Sequence, residues 1–442
     1  MGVKIKPPLA ALVLLALGLS LGAQAGDDPS RDRDVIRYGL DSEIITLLGT
    51  LGKEESIKYK DDILLLFRDA GNSALREAVI GYFTAFKDDS LKKDALAALE
   101  DPFGEKNSTL NLWFKYIAEI RLKEAAAGLR RILSEGSGEY LDGAVPALGE
   151  AGGPGDGAFL LDYMDSNDVT AGQKQALMRA VSKLASPDIA GKLTEIAGDD
   201  NENTYVRMYA AEALGSLGDE QYVPLLAGFY DHSDPVFRAG VVRALSSFGD
   251  NREAQALVLQ AIRDSHYRVR LEAIGAAKKM KLKKAEPYLL ARAENDPEAQ
   301  VKYAAYGALA ALGTKEGENF LLGVLRGEKN SDAARTRAAA ALLEGGIAVK
   351  EVAAAAEATL RDDRQKNLRY SLGKEFARVK NSDLAGICGQ YLAHQDAATR
   401  GTGLDIFARG RYPGVLDAVK AIGADEKGGT LAAKARRILE EH

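Results

Sequence analysis

Apolar and polar positions along the chain recur with a helical period. In the segment from Tyr205 to Asp219, Val206, Ala210, Ala213, Leu214 and Leu217 stand at i, i+4, i+7, i+8 and i+11, which draws one apolar stripe down a helix. The same offsets select Phe237, Val241, Ala244, Leu245 and Phe248, and then Val301, Ala305, Ala308, Leu309 and Leu312. Alanines in the stripe predict close approach of neighbouring helices. Each segment runs into a turn containing glycine, at Gly218-Asp219, Gly249-Asp250 and Gly313-Thr314, where glycine can adopt the left-handed conformation that ends a helix. A second apolar segment follows, as from Tyr222 to Tyr230, so the pattern predicts helices in pairs.

The pairs carry a marker. An apolar residue or Thr followed by Arg or Lys returns at Val206-Arg207, Phe237-Arg238, Val269-Arg270, Val301-Lys302, Thr336-Arg337, Leu368-Arg369 and Thr399-Arg400, with Ile36-Arg37 and Leu75-Arg76 upstream. From Arg207 to Arg400 the basic residues are spaced 31, 32, 32, 35, 32 and 31 positions apart. A period of that size predicts a stacked-repeat solenoid, each pair burying its apolar face against its neighbours. An acid precedes each first helix, at Asp200, Asp231, Asp264, Asp296, Asp332 and Asp363, and is expected to cap it by accepting orphan backbone N–H groups. Leu110-Asn111 and Leu141-Asp142 keep the phase without the basic residue. Counting phases gives about twelve pairs from Arg31 to Gly428 and a final helix from Thr430 to Glu441.

The stretch from Asp200 to Leu226 resembles the short class of HEAT repeat, with an acid, then Val-Arg, spaced alanines, Leu-Gly, a Gly-Asp turn and a Pro-Leu-Leu second helix. The match is good from about Asn201 to Asp363. The tetratricopeptide pattern fits poorly, because its Trp, Tyr and Pro positions do not recur. The resemblance implies an all-α fold, an α-solenoid wound as a right-handed superhelix of about twelve HEAT-like pairs. Similar repeats serve as bacterial scaffold proteins and as phycobilin lyases, so it implies a binding role first and a lyase-like enzyme as the alternative.

Composition adds a compartment. Lys4 and Lys6, the apolar run from Leu9 to Leu21 and Ala23-Gln24-Ala25 form the three parts of a secretory signal peptide over residues 1–25, with cleavage after Ala25. The apolar run is shorter than the roughly 20 residues a membrane span requires. Residues 26–442 are then the repeat array of an exported bacterial protein, expected in the periplasm, with secretion or retention by an uncleaved anchor as alternatives. Without residues 1–25 the chain has 56 basic and 64 acidic residues, a net charge of −8, which argues against bulk nucleic-acid binding. Cys388 is the single cysteine, so no internal disulfide can form and the fold rests on packing.

Candidate chemistry is sparse. The run from Gly149 to Gly157 resembles a phosphate loop but lacks the Lys-Ser/Thr ending, and register places it between two helices, as a turn or hinge. His232, His266 and His394 fall in turns between repeats, too far apart to converge on a metal. Cys388 aligns with the core position of Leu226. No catalytic, cofactor-binding or metal-binding residue is expected.

Charge is distributed unevenly: Ser137 to Tyr205 has 12 acids and 4 bases, whereas Arg361 to His442 has 15 bases and 11 acids. Lys278, Lys279, Lys281, Lys283 and Lys284 form a basic knot at one turn, with Tyr267, Tyr288, Tyr303 and Tyr306 nearby. Tyr303 and Tyr306 lie two and five residues after Val301, off the stripe, and are expected to face a protein or peptide partner beside the lysines. Met208 is likewise placed outside the stripe. These features predict a non-catalytic protein-interaction scaffold of the periplasm or cell envelope, with a structural part of an envelope assembly as another alternative and membrane contact peripheral at most.

Overall fold

The computed structural model describes residues 29–54, 57–102, 104–136 and 138–440. The proposed signal peptide lies outside them. Among the described residues the fold is all-helical with no strand, as the period predicts. Helices alternate as first and second members of twelve pairs, from Asp41–Leu51 with Lys60–Asp69 to Ala397–Gly410 with Leu416–Ala424. Pro29–Tyr38 precedes them and Gly429–Glu440 follows. Ile36-Arg37 therefore belongs to the helix ahead of the first pair. None of the described helices is long and apolar enough to cross a membrane.

The chain forms two compact units divided between Ser90 and Leu91. In the first, Ile44, Leu47, Leu48 and Leu51 of Asp41–Leu51 are buried, with Val79, Ile80 and Phe83 of the first helix Ser73–Ala85, and these two helices pack together.

In the second unit, consecutive first helices stack on one another, and each second helix packs mainly against the first helix of the following pair. The stripe is the core: Val206, Ala210, Ala213, Leu214, Phe237, Val241, Leu245, Val301, Ala305, Ala308 and Leu309 are almost completely buried. Each fully buried leucine contributes roughly 1.5–3 kcal/mol relative to exposure.

Burial extends further round the first helices than the stripe. Met208 is 7% exposed and Tyr306 4% exposed, contrary to the outward placement expected of both. A first helix is held between the preceding and following first helices as well as against the second-helix layer, so a single 3.6-period stripe describes only one of its buried faces. Met208 lies against Gly240 of the next first helix, where an added Cβ would fall 2.2 Å from its Cγ. Gly215 approaches the backbone of Ala244 so closely that a Cβ there would sit 2.6 Å from its Cα.

The glycine-rich run closes Leu141–Ala151 and opens Pro154–Ser166. The Asp156 carboxylate accepts from the Gly153 N–H at 2.7 Å and pairs with Arg130. This run lies inside the second unit.

Candidate functional site

The once-per-repeat cation sits four residues after the N-cap of a first helix. Arg207 follows Asn203, Arg238 follows Asp234, Arg270 follows His266, Lys302 follows Glu298 and Arg400 follows Asp396. The rule corrects one copy. Ser331 is the cap of Asp332–Glu344, so the equivalent residue is Arg335 and not Arg337. Arg335 is buried, and its Nε donates to the Leu325 carbonyl at 2.8 Å. Arg337 is exposed and lies over the Tyr303 ring at 6.0 Å.

The Arg400 guanidinium makes no hydrogen bond or ion pair with a described residue, and the other cations join neighbouring repeats in two ways. Where an aspartate stands 26 residues on, the guanidinium grips it with two hydrogen bonds, Arg238 to Asp264 at 2.8 and 3.0 Å and Arg270 to Asp296 at 2.7 and 2.8 Å. Nη1 of each arginine also donates to two carbonyls of the turn before its own helix, His232 and Ser233 or Asp264 and Ser265. Elsewhere the side chain turns back to the end of the preceding second helix, Arg207 to the Ala197 carbonyl at 3.0 Å and Arg369 to that of Thr359 at 3.1 Å.

The returning acids are not the caps they were expected to be. Asp264 and Asp296 stand two residues ahead of the cap and accept the N–H of the cap residue itself, His266 at 2.8 Å and Glu298 at 3.0 Å. Burial pushes both carboxyls up, but the paired guanidiniums and backbone donors outweigh it and hold them below the ordinary carboxylate value.

The histidines belong to the same turns. Nδ1 of His232, His266 and His394 accepts an N–H two residues on, at 3.0, 3.3 and 3.0 Å. His232 and His394 are also engaged at Nε2, with Arg207 at 3.5 Å and the Leu360 carbonyl at 3.2 Å. Cys388 is buried, with Sγ donating to the Gly403 carbonyl at 3.5 Å, and burial pushes its thiol up to about 12. Among the described residues no three His, Cys, Asp or Glu side chains are grouped to hold a metal ion.

The lysine knot is exposed. Lys278 and Lys279 end the helix Tyr267–Lys279, Lys281 takes the left-handed conformation at φ 50°, and Lys283 and Lys284 open the turn into the next helix. Lys279 donates to Ser246 Oγ at 3.1 Å. Lys278, Lys281, Lys283 and Lys284 form no ion pair with any described residue. Of the nearby tyrosines, Tyr267 stacks on His266 and Tyr288 lies under Arg263.

Tyr303 and Tyr306 form a different feature. Both line a cleft of about 860 Å³ with Phe320, Val324, Lys302 and Lys329, and no residue of the lysine knot lines it. Tyr306 packs edge-on between Tyr303 and Phe320, with ring centroids 5.8 and 6.0 Å away. Lys278 Nζ would lie 3.8 Å from a Cβ on Gly307, the residue after Tyr306. Sequence spacing alone could not reveal the cleft, because Phe320 and Lys329 come from the second helix and the turn that follow.

Paired helices, buried basic residues joining the repeats and glycine-ended turns define a HEAT-type α-solenoid. The chain belongs to the spirochaete HEAT repeat protein family, which it matches over residues 36–438. It is also 26% identical over 213 residues to deoxyhypusine hydroxylase of Candida albicans (strain SC5314 / ATCC MYA-2876), covering 47% of this chain and 63% of that one. Among solved structures it is similar to importin beta (TM-score 0.44, 11% identity, 92% of this chain and 63% of that one). Another is Kap121p bound to RanGTP (TM-score 0.39, 12% identity, 92% and 54%). The chain thus spans less than two thirds of the length of each of these three.

Proposed function

We propose that this protein is a non-catalytic scaffold that binds an acidic protein partner, exported to the periplasm or cell envelope by residues 1–25. The observation that supports it most is the lysine turn. Apart from Arg400, the cations of the inter-repeat joints are engaged and mostly buried, whereas Lys278, Lys281, Lys283 and Lys284 stand exposed without carboxylates on a chain that is acidic overall. An uncompensated basic patch on an acidic protein attracts acidic surfaces and orients their approach. Stacked repeats also offer an extended surface for such contact.

The test is affinity capture with residues 26–442 followed by binding of each captured protein in purified form. A purified acidic partner whose association slows when Lys281 and Lys283 are changed to Glu supports the reading. Partners that bind both forms alike refute this surface.

A second, catalytic reading has one observation in its favour, the partial similarity to deoxyhypusine hydroxylase. An assay of the purified protein for deoxyhypusine hydroxylation tests it. Turnover would replace the scaffold reading.

A further inference from the structure

A polar cleft of about 560 Å³ lies on the stacked first helices that lead to the lysine turn. Four consecutive first helices line it, Ala171–Val181, Thr204–Ser216, Pro235–Leu245 and Tyr267–Lys279. Each contributes at the positions five or nine residues after its repeat's cation. Arg179 and Lys183 follow Lys174, Glu212 and Ser216 follow Arg207, Arg243 and Ser247 follow Arg238, and Lys279 follows Arg270. Four of these lining residues are cations and only Glu212 is a carboxylate.

Part of that charge is already met. Arg243 is held between Glu212 and Glu272, and Lys183 pairs with Glu150. The two ends of the cleft differ. Arg179 is exposed, and its guanidinium makes no hydrogen bond or ion pair with a described residue, acting on Glu212 only through space. Lys279 gives one hydrogen bond to Ser246, meets no carboxylate, and continues into the exposed Lys278, Lys281, Lys283 and Lys284. Between these ends the positions nine residues after Arg207 and Arg238 are serines, Ser216 and Ser247, so no bulky side chain interrupts the cleft. Tyr209 and Ala244 are its only aromatic or aliphatic lining, so an apolar segment gains little there.

We infer that an extended acidic segment of the partner protein runs from the lysine turn along this cleft, placing carboxylates on Lys279 and Arg179 at its two ends and polar groups over the serines between. Four stacked helices at roughly 8–10 Å spacing set those ends about 25–30 Å apart, which an extended chain covers in about eight or nine residues. A guanidinium with all its donors free takes a carboxylate in the two-pronged geometry that a lysine cannot offer. The inference rests on the protein-binding reading above and adds to it a second anchor, Arg179, three repeats from the lysine turn.

The test titrates a fluorescein-labelled peptide of six Glu-Ser repeats against residues 26–442 by fluorescence polarisation, with six Lys-Ser repeats as the counterpart. Saturable binding of the acidic peptide alone is expected. Arg179→Glu should weaken it roughly three- to tenfold and reduce its salt dependence, by losing one contact and repelling the next acid. Ser247→Trp fills the middle of the cleft without changing its charge and should weaken binding roughly fivefold by steric exclusion. Arg409→Glu makes the same charge change at an exposed site nine residues after Arg400 and should leave affinity within about twofold, since it lies well beyond a screening length. Absence of saturable binding, equal losses from Arg409→Glu and Arg179→Glu, or unchanged affinity in both Arg179→Glu and Ser247→Trp with thermal melts intact overturns the inference. A purified partner that responds to Lys281→Glu and Lys283→Glu but not to Arg179→Glu also overturns it, and leaves the scaffold reading standing.

Discussion

Arg270 and Asp296 form a two-pronged ion pair across a repeat boundary, with side-chain exposures of 6% and 0%. The pair is fully hydrogen-bonded, because Arg270 also donates to two turn carbonyls and Asp296 accepts the Glu298 N–H. Removing Arg270 leaves the buried Asp296 carboxylate with only the longer contact from Arg292 at 3.4 Å and the Glu298 N–H. Arg270→Met should therefore destabilise the second unit by about 3–5 kcal/mol, read as a lower urea midpoint at unchanged slope. A loss below about 1 kcal/mol would show that the pair is solvated in solution.

The same pair sets a pH dependence. The folded carboxyls of Asp264 and Asp296 lie below the ordinary value, so their contribution is complete above the unfolded carboxylate value near 4 and is lost as pH falls through the folded one. The stability gap between wild type and Asp296→Asn should be constant from pH 6 to 8 and narrow on acidification below about pH 4. Urea melts across that range check it, and a gap that widens in acid would reverse the assignment.

Arg335 and Arg337 are two residues apart in one helix but differ in role. Arg335→Ala removes a buried donor from the Leu325 carbonyl and should cost about 1–3 kcal/mol, whereas Arg337→Ala at the surface should stay within about 0.5 kcal/mol. Equal melting temperatures for the two variants would restore the register read from the dipeptide.

The repeat, its helical pairs and the stripe through Leu214 were legible in the sequence because burial against one neighbouring layer leaves a 3.6-residue trace. Met208 and Tyr306 were misplaced because stacking of first helices buries further positions that no single stripe marks. The slip at Arg337 has a local cause. Ser331 caps the helix four residues before Arg335, and the apolar-basic dipeptide recurs by chance at Thr336-Arg337 within that helix. Leu214→Asp and Met208→Asp should accordingly both be damaging, each placing a carboxylate where water is excluded.

Two glycines should respond in opposite directions to the same change. Gly215→Ala would press a methyl into the Ala244 backbone and should cost about 1–3 kcal/mol. Gly275 lies exposed within Tyr267–Lys279 with nothing within 4 Å of an added Cβ. Gly275→Ala should therefore stabilise by roughly 0.5–1 kcal/mol through helix propensity. Thermal melts of the pair measure both, and matching signs would contradict the close approach at Gly215.

The most direct test of partner binding replaces Lys281 with the photo-cross-linking amino acid benzoylphenylalanine in cells that produce the protein, with the exposed Tyr38 replaced as a control. Illumination should give one discrete protein adduct from position 281, weakened by Lys283→Glu, and none of that mass from position 38. Adducts that are the same at both positions, or none at 281, would contradict a partner seated on the lysine turn.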